Sequence, residues 1–324
     1  MVESESNPKM QSTGTPPVLF IIFNRPALTR RVFAAIREAR PAQLFVAADG
    51  PRADRPGEAE LCAEARSVVE GVDWPCQVKT LFREKNLGCK LGPSTAITWF
   101  FTQVDEGIIL EDDCLPHPSF FPFCAELLER FRDDSRVFIV SGTNDLGNWK
   151  ATEYSYFYTL GDTPGWATWK RAWQHFDLEL TSWTDATAQQ KMLDFGRRAP
   201  FLARDIARGC QAVLQKNLDA WDYQWIFDRI RHGGLGPVPA VNLVSNIGFG
   251  KDATHTKSSH PLYADRPVYA MQFPLRHNPE IHIDYEYYRQ CHRALQGPVS
   301  SRAKRWLWIH YRKLRNLAHR LMCV

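Results

Sequence analysis

Gly107-Ile108-Ile109-Leu110-Glu111-Asp112-Asp113-Cys114 sets three consecutive carboxylates directly behind a short apolar run. Ile-Ile-Leu bounded by Gly has the pattern of a strand buried on both faces, as at the centre of a parallel sheet. The acidic residues then emerge at the strand's carboxyl end, where open α/β sheets hold their ligands. Carboxylates this crowded repel one another unless a cation or hydrogen-bond donors compensate them. Two readings follow. Either a hard divalent ion holding a phosphate-bearing substrate supplies the compensation, or the triplet is a solvated acidic turn, as expected for Asp133-Asp134, which follows a helix.

Upstream, Val18–Phe23 reads as a buried strand stopped by Asn24-Arg25-Pro26, followed by a helix with Leu28, Val32, Phe33 and Ile36 on one face. A second strand, Leu44–Ala48, ends at the turn sequence Asp49-Gly50-Pro51. The pattern then predicts a helix over Glu58–Val69, a strand over Gln77–Phe82, a turn at Asn86-Leu87-Gly88 and a helix over Ser94–Val104. Beyond the acidic strand come a helix, Phe120–Phe131, and a strand, Val137–Ser141. This alternation predicts an α/β fold: a Rossmann-like, mostly parallel sheet flanked by helices. No Gly-x-Gly-x-x-Gly opens a helix and no Gly-x-x-x-x-Gly-Lys occurs, which argues against dinucleotide enzymes and P-loop ATPases. The second half is less regular and rich in aromatics, with Gly165-Trp166-Ala167-Thr168-Trp169 and Trp221-Asp222-Tyr223-Gln224-Trp225 standing out. Asn246–His260 is polar and suits a mobile loop over a site.

The 324 residues suffice for one large α/β domain with extensions, and 44% hydrophobic with 23% charged residues is ordinary for a soluble globular chain. No apolar run approaches the roughly 18 residues that span a bilayer. Met1–Thr15 is polar and lacks the basic-then-apolar pattern of a secretory signal, so a disordered leader is expected. Eight cysteines are scattered without CxxC spacing, which argues against structural zinc and a disulfide framework and fits reduced thiols in the cytoplasm. The net charge of +4 is uneven. From Tyr287 to Val324 there are nine Lys/Arg and no Asp or Glu, so the remainder is negative by five. A basic nucleic-acid groove across the body is thereby disfavoured. Arg302–Arg320 is a candidate basic amphipathic helix with Leu307, Tyr311, Leu314 and Ala318 on one face. With Trp306 and Trp308 it could lie in an anionic membrane interface, or it could dock on the body or another subunit.

Taken in order, Phe23-Asn24-Arg25, Ala48-Asp49-Gly50, Glu111-Asp112-Asp113 and Trp221-Asp222 resemble the motifs of nucleotide-sugar glycosyltransferases of the GT-A fold. The closer likeness is to the family of the N-acetylglucosaminyltransferase that starts complex N-glycans and its bacterial relatives. Val140-Ser141 with Asn144-Asp145, and Pro164-Gly165-Trp166 with Trp173, add to it; the likeness covers roughly Pro17 to Thr256. The chain departs from the pattern at Asn24 and Tyr223, where the relative carries Asp. The resemblance implies a metal-dependent, inverting transfer of a GlcNAc-like sugar from a UDP-sugar to a hydroxyl of a glycan or lipid-linked acceptor, in bacterial surface polysaccharide assembly. It also implies residues 16–150 as the donor half and 151–260 as the acceptor half, with 261–324 an extension carrying the basic helix. A cytoplasmic location follows, with peripheral attachment to the inner face of the plasma membrane through that helix. A sugar-binding protein without turnover and a sugar nucleotidyltransferase are the alternatives.

By the same resemblance Arg25 and Asp49 hold the donor's uridine with Asn24 beside them, Asp112 touches the ribose, Asp113 binds Mn²⁺ or Mg²⁺, and Glu111 belongs to the same donor site. Such an ion needs only one or two protein carboxylates, because phosphate oxygens and water complete its octahedron. His255, in Ala-Thr-His-Thr, falls where the relative has a loop that orders on donor binding; it adds a metal ligand, or it is a surface histidine. Lys90 touches phosphate, or it is an ordinary exposed lysine. Asp222 matches the general base, and one carboxylate on the far side of the sugar suffices for inversion. Its flanking Trp221 and Trp225 would exclude water, or they are core residues at helical spacing with Asp222 capping the helix. Gly165, Trp166 and Trp221 form an acceptor wall, or they pack in the core.

Overall fold

The computed structural model describes residues 14–249 and 265–296. His255, the basic helix expected over 302–320 and most of the leader lie outside the described residues. In chain order the first elements are β1 (Val18–Ile22), α1 (Pro26–Ala39), β2 (Gln43–Ala48), α2 (Glu58–Ser67), β3 (Gln77–Phe82), α3 (Gly88–Phe101) and β4 (Glu106–Glu111). β5 (Cys114–Pro116), α4 (Phe120–Arg130), β6 (Val140–Ser141), β7 (Tyr156–Thr159), β8 (Trp166–Trp169) and α5 (Lys170–Trp173) follow. The chain continues through α6 (Ala186–Arg198), α7 (Pro200–Leu214), α8 (Asp222–His232), β9 (Gly236–Pro239), β10 (Val244–Asn246) and α9 (Tyr285–Gln296).

The main sheet has the order β3-β2-β1-β4-β8-β6. β1 lies between β2 and β4 and pairs in parallel with both, Phe20 opposite Val46 on one side and Leu110 on the other. The α/β body with a mostly parallel, helix-flanked sheet is therefore as the sequence predicts. One strand differs. β8 is antiparallel and sits between β4 and β6, with Ala167 opposite Ile108 on one edge and Val140 on the other. It carries the sheet across position 150, so the same sheet joins both halves of the chain. The strand expected over Val137–Ser141 shortens to Val140–Ser141, because the Phe138 N–H donates to the Leu235 carbonyl instead of to the sheet.

Alternating side chains of each strand feed two cores, as strand geometry requires. Val18, Phe20, Leu44, Val46, Ile108 and Leu110 pack on one face with α1 and α4. Leu19, Phe45, Ala47 and Ile109 pack on the other, against Ile97 and Phe100 of α3 and a cluster of tryptophans. α6, α7 and α8 enclose a third core of Phe195, Ile206, Val213, Phe227 and Ile230.

The tryptophans come from three elements. Trp225 of α8 is fully buried, with ring centroids 5.2 Å from Trp173 and 6.2 Å from Trp166. Trp221 and Trp225, one helical turn apart, are core residues. Trp166 corrects an expectation: β8 runs through the sheet interior, so this side chain is fully buried and presents no face to an acceptor. Gly165 supplies no wall either; it sits at φ 63° with Val244 packed where a side chain would stand. Trp225→Ala should cost about 3–5 kcal/mol in urea unfolding, the range for truncating a large core aromatic.

Asp228, also on α8, is fully buried; the Asp177 N–H donates to it at 2.7 Å and Arg231 lies 3.2 Å away. Burial, opposed by these donors, pushes its carboxyl up to about 7. A raised folded pKa means the protonated form is the stabilising one. Its contribution is complete below the unfolded value near ~4 and is lost as pH rises through about 7. Asp228→Asn, a neutral mimic, should flatten that decline in urea midpoints and leave the variant relatively more stable in mild alkali.

Candidate active site

The carboxyl ends of β1, β2 and β4 deliver Arg25, Asp49 and the Glu111-Asp112-Asp113 triplet to one edge of the sheet. Alternation sends Asp112 into the protein, where its side chain is 3% exposed. It is held there by the Phe23 N–H at 3.3 Å and by two guanidinium nitrogens of Arg25. The third nitrogen of Arg25 donates to Asp113 at 3.0 Å. One cation thus hydrogen-bonds two acids, Asp112 and Asp113. Burial, then the charges of Asp113, Asp112 and Asp222, push the Glu111 carboxyl up to about 8, against the opposing pull of Arg25. Burial also lifts Asp112, to about 6, while Arg25 restrains it.

A cleft of about 300 Å³ opens at this point, and Arg25, Glu111 and Asp113 line it on the sheet side. Trp221 and Asp222 face it from the start of α8, and Thr163 and Pro164 from the entry to β8. The fourth wall is made by β10. Its Asn246 pairs with Cys114 of β5, and the next N–H, of Ile247, donates to the Asp113 carbonyl at 2.8 Å. This lays Gly248 against the Asp113 carboxylate, in space that any Cβ would occupy. Cys89 and Cys114 also line the cleft, but burial raises both thiols above their ordinary range, to about 11 for Cys89. Neither is a thiolate nucleophile at neutral pH. Among the described residues no three His, Cys, Asp or Glu side chains gather as a ready-made metal cage.

Asp222 is the first residue of α8, with Trp221 before it at the cap position. The tryptophans pack as core, yet Asp222 between them reaches the cleft. Trp221 stacks on Trp166 at 5.9 Å with an interplanar angle of 23°, so the buried ring backs the one at the cleft.

The remaining expected donor residues are engaged elsewhere. Asn24 donates to Glu58 at the start of α2 at 2.8 Å, and Lys90 pairs with Glu179 at 2.9 Å. Asp49 accepts the N–H groups of Leu87, Gly88 and Gly50, and burial raises its pKa against those donors. These contacts explain why α3 begins at Gly88, ahead of the expected Ser94. The next two N–H groups, of Cys89 and Lys90, donate to Asp219 at 2.7 and 3.0 Å. Two carboxylates, one from each half of the chain, therefore satisfy the start of α3. Sequence reasoning missed Asp219 and Thr163, whereas Pro164 belongs to a motif the resemblance uses, and Asn246, Gly248 and Phe249 belong to the segment expected over a site. An acid in a loop ahead of a helix carries no signal of a partner 130 residues away.

No family model and no curated protein matches this chain. Solved structures with some likeness include HddC from Yersinia pseudotuberculosis, at 10% identity over 53% of this chain and 84% of that one, TM-score 0.31. Another is the 4-diphosphocytidyl-2C-methyl-D-erythritol synthase from Anaerococcus prevotii, at 9% identity over 56% and 84%, TM-score 0.33. A third is a UDP-glucose pyrophosphorylase complexed with UDP-glucose, at 10% identity over 51% and 80%, TM-score 0.29. Function is therefore argued from the site's own chemistry.

Asp219→Ala should lower stability by about 1–2 kcal/mol, as for loss of a helix N-cap. Asp219→Asn, which keeps an acceptor oxygen, should recover part of that loss in the same unfolding assay.

Proposed function

We propose that the chain is a metal-dependent inverting glycosyltransferase that moves a sugar from a UDP-sugar to an acceptor hydroxyl. The observation that carries this reading is the convergence of Glu111, Asp113 and Arg25 with Asp222 and Trp221 on one cleft. The donor set fits a divalent ion: Glu111 and Asp113 set carboxyl oxygens on the cleft, and Arg25 is engaged with Asp112 and Asp113. Asp113, with Glu111 beside it, would hold Mn²⁺ or Mg²⁺, which supplies positive charge to the leaving diphosphate. The remaining work falls to the chain itself. Arg25 keeps Asp113 oriented at the cleft. Trp221 offers a flat apolar edge beside the sugar and excludes water. Asp222 accepts the proton of the acceptor hydroxyl as its oxygen bonds to the anomeric carbon. The bond from that carbon to the diphosphate oxygen breaks, and its electron pair leaves with UDP. Attack opposite the leaving group inverts the centre.

The test is release of UDP from UDP-GlcNAc in the presence of Mn²⁺, with and without chelator. Asp222→Asn should lower transfer by about 10²–10⁴-fold, the range for a general base, with UDP affinity unchanged; Asp113→Ala should lose the metal response. A chelator-insensitive rate would overturn the metal, and an unaltered Asp222→Asn rate would remove that residue from the chemistry. Pyrophosphate release from UTP and a sugar phosphate would instead mark a nucleotidyltransferase, and binding without any turnover a sugar-binding protein.

A further inference from the structure

A second, larger groove of about 990 Å³ shares Thr163, Pro164 and Asp222 with the cleft just described. The two spaces meet at the carboxylate assigned to proton transfer. What lines the larger one differs in kind. Leu160, Ile206 and Ile226 face it from β7's exit, α7 and α8, and Leu202 and Phe201 add to the α7 side. Phe201 remains 49% exposed. With the rings of Phe201, Tyr223 and Tyr288 these aliphatic side chains make one extended apolar wall, which suits an alkyl or prenyl body.

Charge sorts along the same groove. Asp145 is paired with Arg266, and Asp162 and Asp222 lie by the junction with the cleft. The exposed rim carries Arg198, Arg289 and Arg293. Arg289 and Arg293 lean on a single acid, Glu286, and Arg198 lies over the Tyr285 ring. Asp205 is a further exposed acid of the lining, and the rim is cationic on balance. α9 ends at its edge with Leu295 and Gln296, beyond which the sequence runs to Val324 with seven Lys/Arg and no Asp or Glu.

We propose that this groove binds the apolar body and phosphate of a lipid-linked acceptor, which presents its hydroxyl end to Asp222. The apolar wall takes the chain, and the Arg289–Arg293 rim takes the phosphate. This rests on the glycosyltransferase reading for the identity of the reaction, but the binding itself is testable without it.

Farnesyl phosphate below its micelle concentration serves as the probe for isothermal titration against the full chain, with farnesol and inorganic phosphate as the separate halves of the ligand. Saturable binding of farnesyl phosphate, tighter than either half, is expected. Phe201→Glu and Arg293→Glu, both at exposed positions, should each weaken it by about tenfold or more, the effect of losing an interface anchor. UDP binding by both variants should match the unsubstituted protein. No saturable binding, or binding by both variants as tight as that of the unsubstituted protein, overturns the proposal. So does a Phe201→Glu variant that turns a dimer into a monomer without altering probe affinity, since a second copy would then own the groove. UDP binding without farnesyl phosphate binding defeats the groove alone. Farnesyl phosphate binding without UDP binding defeats the donor reading and leaves the groove standing.

Discussion

The guanidinium of Arg25, set at the end of β1, faces two adjacent carboxylates at the end of β4 and is the cation that makes them tolerable side by side. Asp112 is buried only because Arg25 and the Phe23 N–H meet its oxygens. Removing one partner of such a pair leaves a buried charge uncompensated, which is costlier than never building it. Arg25 thereby locks the two central strands at the edge where ligands gather, and it fixes the direction in which Asp113 points. What it does not do is balance the site. Burial first, and then its acidic neighbours, drive Glu111 toward its neutral form against the pull of Arg25.

The start of α3 offers no open N–H groups to a ligand at this edge. A helix N-terminus usually welcomes phosphate through its unpaired N–H groups. Here those groups are spent on Asp49 and Asp219. The arrangement closes the helix dipole to anions and spends it on architecture instead. Asp219 lies in the segment that leads into Asp222, so the donor side of the sheet and the start of α8 are tied through one carboxylate.

Sequence and structure agree most closely where local pattern suffices. Val18–Ile22, Gln43–Ala48, Gln77–Phe82 and Glu106–Glu111 are apolar or alternating runs bounded by turn residues, and helices occupy the intervals between them. The acidic triplet was legible as a site because three carboxylates after an apolar run need a reason. The misreadings share a different cause. Trp166 suits both an acceptor wall and a core, and only the insertion of β8 beside β4 decides between them. Asn24, Asp49 and Lys90 carry the residue types a donor site would use, but each is claimed by a partner remote in sequence: Glu58, the start of α3 and Glu179. Pairing across such distances leaves no periodicity to read.

The reversed direction of β8 decides which part of the chain can vary at the cleft. Trp166 stands opposite Ile109, so the segment before β8, not the one after it, arrives beside Glu111. In a wholly parallel sheet each strand hands its downstream loop to the ligand edge, and upstream loops lie at the far end. Here Thr163 and Pro164 belong to an upstream loop and still border both cavities. Changing Thr163 and Pro164 would therefore reshape both cavities while leaving the strand, the triplet and its arginine untouched, a degree of evolutionary freedom that the parallel strands do not have.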